Sequence, residues 1–141
     1  DTLVSIENVE YTGPIAVEII GDDYNNTLQV DSGGDTVNTI REGGGDDTLL
    51  STDSADYLYG GSGNDRLVGG DGIDIFQINS GVGRDVIYDY TSGVDSIQLL
   101  SSLKETDLSF SYVGGHTRIS DDKGDLLAIV QNTIADDITF I

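Results

Sequence analysis

The sequence has no cysteine, methionine or tryptophan, one proline and one histidine. Without cysteine there are no disulfides, and the redox compartment stays open. Only 6 Lys+Arg stand against 26 Asp+Glu, a formal net charge of -20. The basic residues Arg41, Arg66, Arg84, Lys104, Arg118 and Lys123 are scattered, so nucleic acid finds no basic patch. No apolar run approaches membrane-spanning length, and no signal peptide is visible. His116, beside Gly114-Gly115, has no cysteine partner and no local metal cluster, and reads as a solvated turn residue. No nucleophile elbow surrounds a serine. The glycine-rich segments lack the Lys-Ser/Thr of a phosphate loop and carry Asp where phosphate would be repelled. No enzyme is expected. Aromatics are only 7%, so the core must be thin.

What the chain has instead is glycine and aspartate in register. Gly60-Gly61-Ser62-Gly63-Asn64-Asp65-Arg66-Leu67-Val68 is followed at once by Gly69-Gly70-Asp71-Gly72-Ile73-Asp74-Ile75-Phe76-Gln77. Both read Gly-Gly-x-Gly-x-Asp, one residue, a large apolar residue, one residue. The glycines permit a tight turn, the Asp closes it as an oxygen donor, and the apolar residue opens a short inward-facing strand. Stepping back by nine, Asp56 and Leu58 keep their places in 51–59, Asp47 and Leu49 in 42–50, and Asn38 and Ile40 in 33–41. Asn26 and Leu28 fit after a slip of three residues, and Asp85 with Ile87 and Asp95 with Ile97 fit after small insertions. The inward series is Leu28, Ile40, Leu49, Leu58, Leu67, Phe76, Ile87 and Ile97, each two residues after an Asp or Asn.

A nine-residue unit holds one turn and one short strand. Two units make a coil, so strands on one side recur every eighteen residues and stack at ~4.8 Å. The expected fold is all-β: a right-handed parallel β-roll, two sheets back to back with apolar residues between them. One repeat cannot bury its apolar face alone; stacking does it. The turns line up along each edge, with room for cations between successive turns.

Stacked acidic turns repel, and low hydrophobicity with high net charge marks a chain that stays unfolded. Calcium resolves the conflict. It takes about six to eight oxygen ligands in flexible geometry, and its binding becomes folding free energy. Several ions are expected. Turn 42–47 faces turn 60–65, so carbonyls near Gly43 and Gly45 with Asp47 meet Gly61, Gly63 and Asp65. Turn 60–65 next faces turn 80–85, with Gly81, Gly83 and Asp85. On the other edge Asp53 and Asp56 meet Gly70, Gly72 and Asp74. Ser and Thr replace glycines in 51–56, so a weaker or distorted site is expected there, with Asp53 compensating in part. Asn38 in place of Asp weakens turn 33–38 further. An isolated Asp-Gly would be a turn former only; the tandem array makes these residues calcium ligands.

Three regions follow: an N-terminal β cap or continuation of an upstream roll over 1–32, the roll over 33–98, and a C-terminal β cap over 99–141. In the first, Leu3, Ile6 and Val9 look like strand positions, and Ile15–Ile19 alternates with period two. In the last, Leu108–Val113, Thr117–Ser120 and Leu126–Gln131 read as strands of an antiparallel cap, the latter two joined by the turn Asp121-Asp122-Lys123-Gly124. The abrupt strand-like start reads as a piece of a larger protein.

Residues from about 33 to 98 resemble the repeats-in-toxin (RTX), haemolysin-type calcium-binding β-roll. Gly69 to Gln77, then Gly83-Arg84-Asp85-Val86-Ile87-Tyr88-Asp89-Tyr90, then Asp95-Ser96-Ile97-Gln98-Leu99, is similar to the exit from the roll in serralysin-type metalloproteases and alginate-epimerase R-modules; RTX adhesins carry the same kind of domain. Glu42, Asn38, Ser51, Thr52 and Ser54 depart from the family pattern and put full ion occupancy in doubt. The resemblance implies export, unfolded, through a Gram-negative type I secretion machinery, then folding on calcium outside the cell. The chain would be the C-terminal part of a secreted toxin, enzyme or adhesin. The terminus Asp136-Asp137-Ile138-Thr139-Phe140-Ile141 resembles the family's uncleaved export signal, the alternative being an ordinary last strand. A second reading is a carbohydrate-binding module for acidic polysaccharide, using Tyr57, Tyr59 and Tyr88 with Arg41 and Arg66. The charge of -20 opposes polyanion binding unless calcium bridges it. A third is calcium-dependent self-assembly or adhesion at a cell surface.

Overall fold

The structure is a computed structural model that describes residues 2–4, 8–32, 36–81 and 83–141, with side chains from residue 8 onward. In chain order its strands are β1 (Thr2–Val4), β2 (Asn8–Thr12), β3 (Glu18–Ile20), β4 (Thr27–Asp31), β5 (Val37–Arg41), β6 (Thr48–Ser51) and β7 (Ala55–Tyr59). They continue as β8 (Arg66–Val68), β9 (Ile75–Ile78), β10 (Asp85–Ile87), β11 (Ser96–Leu99), β12 (Ser109–Val113), β13 (His116–Ser120) and β14 (Leu126–Val130). Up to β11 the strands deal alternately into two parallel sheets, β1-β3-β5-β7-β9-β11 and β2-β4-β6-β8-β10. Each strand pairs with the one two places away, which is the connectivity of a solenoid. No helix of the described residues is long and apolar enough to cross a membrane.

The inward series sets the register. Leu28, Leu49 and Leu67 stack in one sheet, and Ile40, Leu58, Phe76 and Ile97 in the other. All eight residues of the series are 0% exposed. Each contributes about 1.5–3 kcal/mol by leaving water. In the middle of the solenoid equivalent residues lie 18 apart, as in Asp47 and Asp65. Toward the ends the step lengthens to 20 or 21, as in Asp65 with Asp85 and Asp74 with Asp95. The extra residues sit in turns, because a slip inside a strand would turn its apolar residues outward.

The first 32 residues feed the same two sheets. Val17 and Ile19 are buried, but Ile15 is 48% exposed, and the strand begins only at Glu18. Pro14 has no N–H for a ladder, which delays the strand. Leu3 falls in β1; Ile6, and with it that part of the expected pattern, lies outside the described residues.

The expected antiparallel cap is mixed. β12, β13 and β14 pair antiparallel, yet β14 runs parallel to β10, with Ala128 opposite Asp85. β14 occupies the place of the next coil's strand and keeps the direction of the roll. The β13–β14 turn forms as expected: the Asp121 carboxylate accepts the N–H groups of Lys123 (3.0 Å) and Asp125 (2.9 Å). Residues 139–141 extend the other sheet, Ile97 donating to the Thr139 carbonyl (2.8 Å) and accepting from Ile141 N–H (3.1 Å). The Tyr90 hydroxyl donates to the Asp95 carbonyl (2.9 Å) and accepts from Thr139 N–H (2.8 Å), tying the last coil to this tail.

Candidate metal centre along the solenoid edges

The Asp or Asn two residues before each inward apolar residue is itself buried, from Asn26 to Asp95. A turn residue that opens a strand points into the edge of the sandwich, where its carboxylate meets the backbone of the coil before it. On the first edge Asn26 N–H donates to Asp47 Oδ1 (2.7 Å), Asp47 N–H to Asp65 Oδ1 (2.9 Å), and Asp65 N–H to Asp85 Oδ1 (3.4 Å). On the second, Asn38 N–H donates to Asp56 Oδ1 (2.9 Å), Asp56 N–H to Asp74 Oδ1 (3.0 Å), and Asp74 N–H to Asp95 Oδ1 (3.0 Å). Two parallel ladders of carboxylates therefore run the length of the roll.

One oxygen of each carboxylate is used by its ladder, and the fate of the other separates the edges. On the first edge Asp47 Oδ2 and Asp65 Oδ2 are buried with no hydrogen-bond partner among the described residues, as are Asn26 Oδ1 and both oxygens of Glu42. On the second edge Asp74 Oδ2 is in the same state. The Ser51 hydroxyl, however, donates to Asp56 Oδ2, and Thr91 N–H donates to Asp95 Oδ2 (2.7 Å). Asn38 Nδ2 adds bonds to Asp56 Oδ1 (2.7 Å) and to the Ser32 hydroxyl (2.8 Å). The Asp56 and Asp95 rungs are closed by hydrogen bonds.

The glycine turns stack as the spacing requires. Ser62 N–H donates to the Gly43 carbonyl (3.1 Å), Gly45 N–H to the Ser62 carbonyl (3.0 Å), and Arg84 N–H to the Gly63 carbonyl (3.0 Å). Across the other edge Ser54 N–H donates to the Asp71 carbonyl (2.8 Å) and Asp71 N–H to the Thr52 carbonyl (2.6 Å). Gly63 has φ 130°, and a Cβ there would collide with the Gly45 carbonyl, so only glycine lets the turns approach this closely. Ser54 takes the place of Gly72 one coil earlier and is held at φ 105°, a strained position.

The electrostatics are those of acids held away from water. Burial, then the charges of Asp47, Asp65 and Asp22, push Glu42 up to about 8. Burial raises Asp85 to about 8, with Asp65 adding to it, Asp74 to about 7 and Asp47 to about 6. Asp56, Asp65 and Asp95 are raised by burial as well. Asp46, exposed on the turn, is lowered by the hydrogen bonds of Asn64. Buried acceptor oxygens without donors fit a hard, oxygen-seeking cation. Among the described residues no three Asp, Glu, His or Cys side chains converge to hold a metal alone, so turn carbonyls must complete any shell.

The structure brings together the turns holding Gly43, Gly45, Asp47, Gly61, Gly63, Asp65, Gly83 and Asp85 on one edge. Gly70, Gly72 and Asp74 face Asp53 and Asp56 on the other, with Asp53 exposed and meeting Asp71 through the main chain. Gly81 lies exposed beside Asn79. Gly33, Gly34 and Asp35 fall outside the described residues. The tyrosines part company. Tyr57 and Tyr59 flank Leu58 on β7, with Arg41 opposite Tyr59 in the ladder. Tyr88 follows β10 in the other sheet and stacks under the Arg66 guanidinium, 3.7 Å from ring centroid to Cζ.

The sequence reading missed Asp89, whose carboxylate accepts Gly69 N–H (3.0 Å) and Gly70 N–H (2.8 Å). It falls outside the nine-residue grammar, and only a turn longer than the repeat brings it there. Glu42 was visible as a departure, but nothing in its type at a glycine position announces a buried side chain.

Residues 18–39 and 43–76 match the family described as the RTX calcium-binding nonapeptide repeat (4 copies). No curated protein matches the chain significantly. Among solved structures the chain is similar to the AlgE6R2 subunit of the Azotobacter vinelandii mannuronan C5-epimerase, with 26% identity and a TM-score of 0.61 over 86% of this chain and 91% of that one. It is similar also to the AlgE6R3 subunit of the same epimerase, with 25% identity and a TM-score of 0.61 over 86% of this chain and 80% of that one. Such repeat modules bind calcium and are not catalytic. The ladders, the glycine turns and the matched segments together identify residues 18–39 and 43–76 as RTX calcium-binding repeats, carried in a roll of two parallel sheets.

Proposed function

We propose that this chain is a calcium-triggered folding module of a larger secreted bacterial protein. One observation carries the reading: the buried, donor-free carboxylate oxygens of Asp47, Asp65 and Asp74 at stacked glycine turns. On the first edge Asp47, Asp65 and Asp85 would hold calcium with carbonyls near Gly43, Gly45, Gly61, Gly63, Gly81 and Gly83. On the second, Asp74 would do so with carbonyls near Gly70 and Gly72 and with Asp53 on the facing turn, the Asp56 oxygens being held by Ser51 and Asn38. Bound calcium supplies the positive charge that these acids lack. The Asp ladders hold the oxygens in place, and the apolar series between the sheets turns ion binding into burial.

A net charge of -20 keeps the calcium-free chain expanded at neutral pH, which suits passage through a type I secretion machinery from a calcium-poor cytosol. Folding would follow outside the cell, and Asp136–Ile141 would serve as the export signal. The test is a calcium titration of the chelated chain followed by far-ultraviolet circular dichroism, with magnesium as control. A cooperative gain of β signal with calcium alone is expected; the same β signal throughout in chelator at pH 8 would refute the trigger.

A second reading, binding of acidic polysaccharide, draws on the likeness to subunits of a mannuronan C5-epimerase and on Arg41 lying beside Tyr59 and Tyr57 on one outer face. Retardation of the calcium-loaded chain, but not of Arg41→Ala, in gels containing mannuronan would support it; equal mobility of both would sink it.

A further inference from the structure

Glu42 stands where the repeats at 60 and 69 begin with glycine, and the family match breaks off at 39 and resumes at 43. Its side chain is 4% exposed, and neither carboxylate oxygen has a hydrogen-bond partner among the described residues. The carboxylate lies against Gly21 of the preceding turn, in the space that any side chain at 21 would fill. On the same rung Asn26 is 3% exposed. Its Nδ2 donates to Asp22 Oδ1 (2.9 Å) and to the Tyr24 carbonyl (2.5 Å), while its Oδ1 is left buried and unpartnered. Asp47 Oδ1 accepts from Asn26 N–H, and its Oδ2 is left free among the described residues. Three side chains thus bury acceptor oxygens on one rung with no donor for them. Buried acceptors require a donor or a cation, and the nearby charges of Asp65 and Asp22 favour a cation.

The charge count points the same way. Each following rung of this edge opposes two aspartates, whereas Asn26 leaves this one a carboxylate short. Glu42 restores that charge from the neighbouring turn. We propose that the rung between turns 21–26 and 42–47 is a further calcium site, with Glu42, the Asn26 amide oxygen and Asp47 as its side-chain ligands. The proposal rests on the calcium reading above and adds Glu42 and Asn26, which lie outside the glycine–aspartate grammar.

The test counts calcium ions on the full chain by native mass spectrometry, beside Glu42→Gln, Glu42→Gly and the distant control Asp107→Ala. Thermal unfolding is followed in calcium and in chelator at mildly acidic pH. Both Glu42 variants are expected to hold one ion fewer, and their calcium midpoint for folding to rise roughly tenfold. Glu42→Gln replaces an ionisable group by a neutral amide of the same shape. It should therefore melt higher than the unmodified chain in chelator and lower in calcium, whereas a packing role would move both melts the same way. Should Glu42→Gln fail to fold in calcium, the ion count of Glu42→Gly, which restores the neighbours' glycine, decides. Unchanged counts in a chain that does hold calcium overturn this site alone; an unmodified chain that holds none overturns the calcium reading and this site with it.

Discussion

At the scale of single residues, what an aspartate's second oxygen meets decides whether its rung needs a cation. Ser51 supplies that partner for Asp56, where Gly60 and Gly69 leave Asp65 and Asp74 without one. Ser51→Gly should lower metal-free stability by about 1–3 kcal/mol, the cost of an unsatisfied buried acceptor. Calcium should restore much of that loss, and urea unfolding with and without calcium measures both. A variant equally weakened in both conditions would show that Ser51 does not stand in for an ion. Asp65 is shared by the rungs above and below it. Asp65→Ala should raise the calcium midpoint more than about tenfold, while Asp107→Ala, outside the ladders, should leave it unchanged. Equal midpoints would refute the assigned stacking. The Asp positions were legible in the sequence because they recur two residues before an apolar one. The bonds from Ser51 and Asp89 were not, since serine and aspartate in turns are common and only the stacked neighbour tells them apart.

At the scale of strands, the inward residue fixes the register and the turns absorb the irregularity. Leu67 is 0% exposed between Leu49 and Ile87. Leu67→Asp places a charge between the sheets and should abolish the β spectrum even in excess calcium; a normal calcium-loaded spectrum would refute that placement. Phe76→Ala, which also empties the space against Tyr90, should cost about 3–5 kcal/mol of calcium-loaded stability in denaturant unfolding. The strands of the roll could be read from sequence because each is announced by a turn residue and an apolar residue at constant spacing. The parallel seat of β14 on β10 could not. Its alternation fits a strand in either direction, and the neighbour is settled by which edge the last coil leaves open.

At the scale of the whole molecule, the buried acids link folding to protons as well as to metal. Glu42, Asp47, Asp74 and Asp85 sit at about 8, 6, 7 and 8 in the metal-free fold, above their ordinary values. Their protonated forms favour the fold, so that stability is fully present below about pH 4 and is lost as pH rises through 6 to 8. The chelated chain should gain β signal when taken from about pH 8.5 to about pH 5, and calcium binding near pH 7 should release protons, read by calorimetry in buffers of different ionisation heat. A chelated chain more folded at the alkaline end would contradict this. The carboxylate ladders also have a direction, for in each the oxygen belongs to the later coil and the N–H to the earlier one. The roll is therefore a polar rod. One end offers acceptors and the other donors, so two such rods match head to tail and would lengthen into a fibre. β14 and residues 139–141 sit on the donor end of both sheets and stand in the way of that lengthening there.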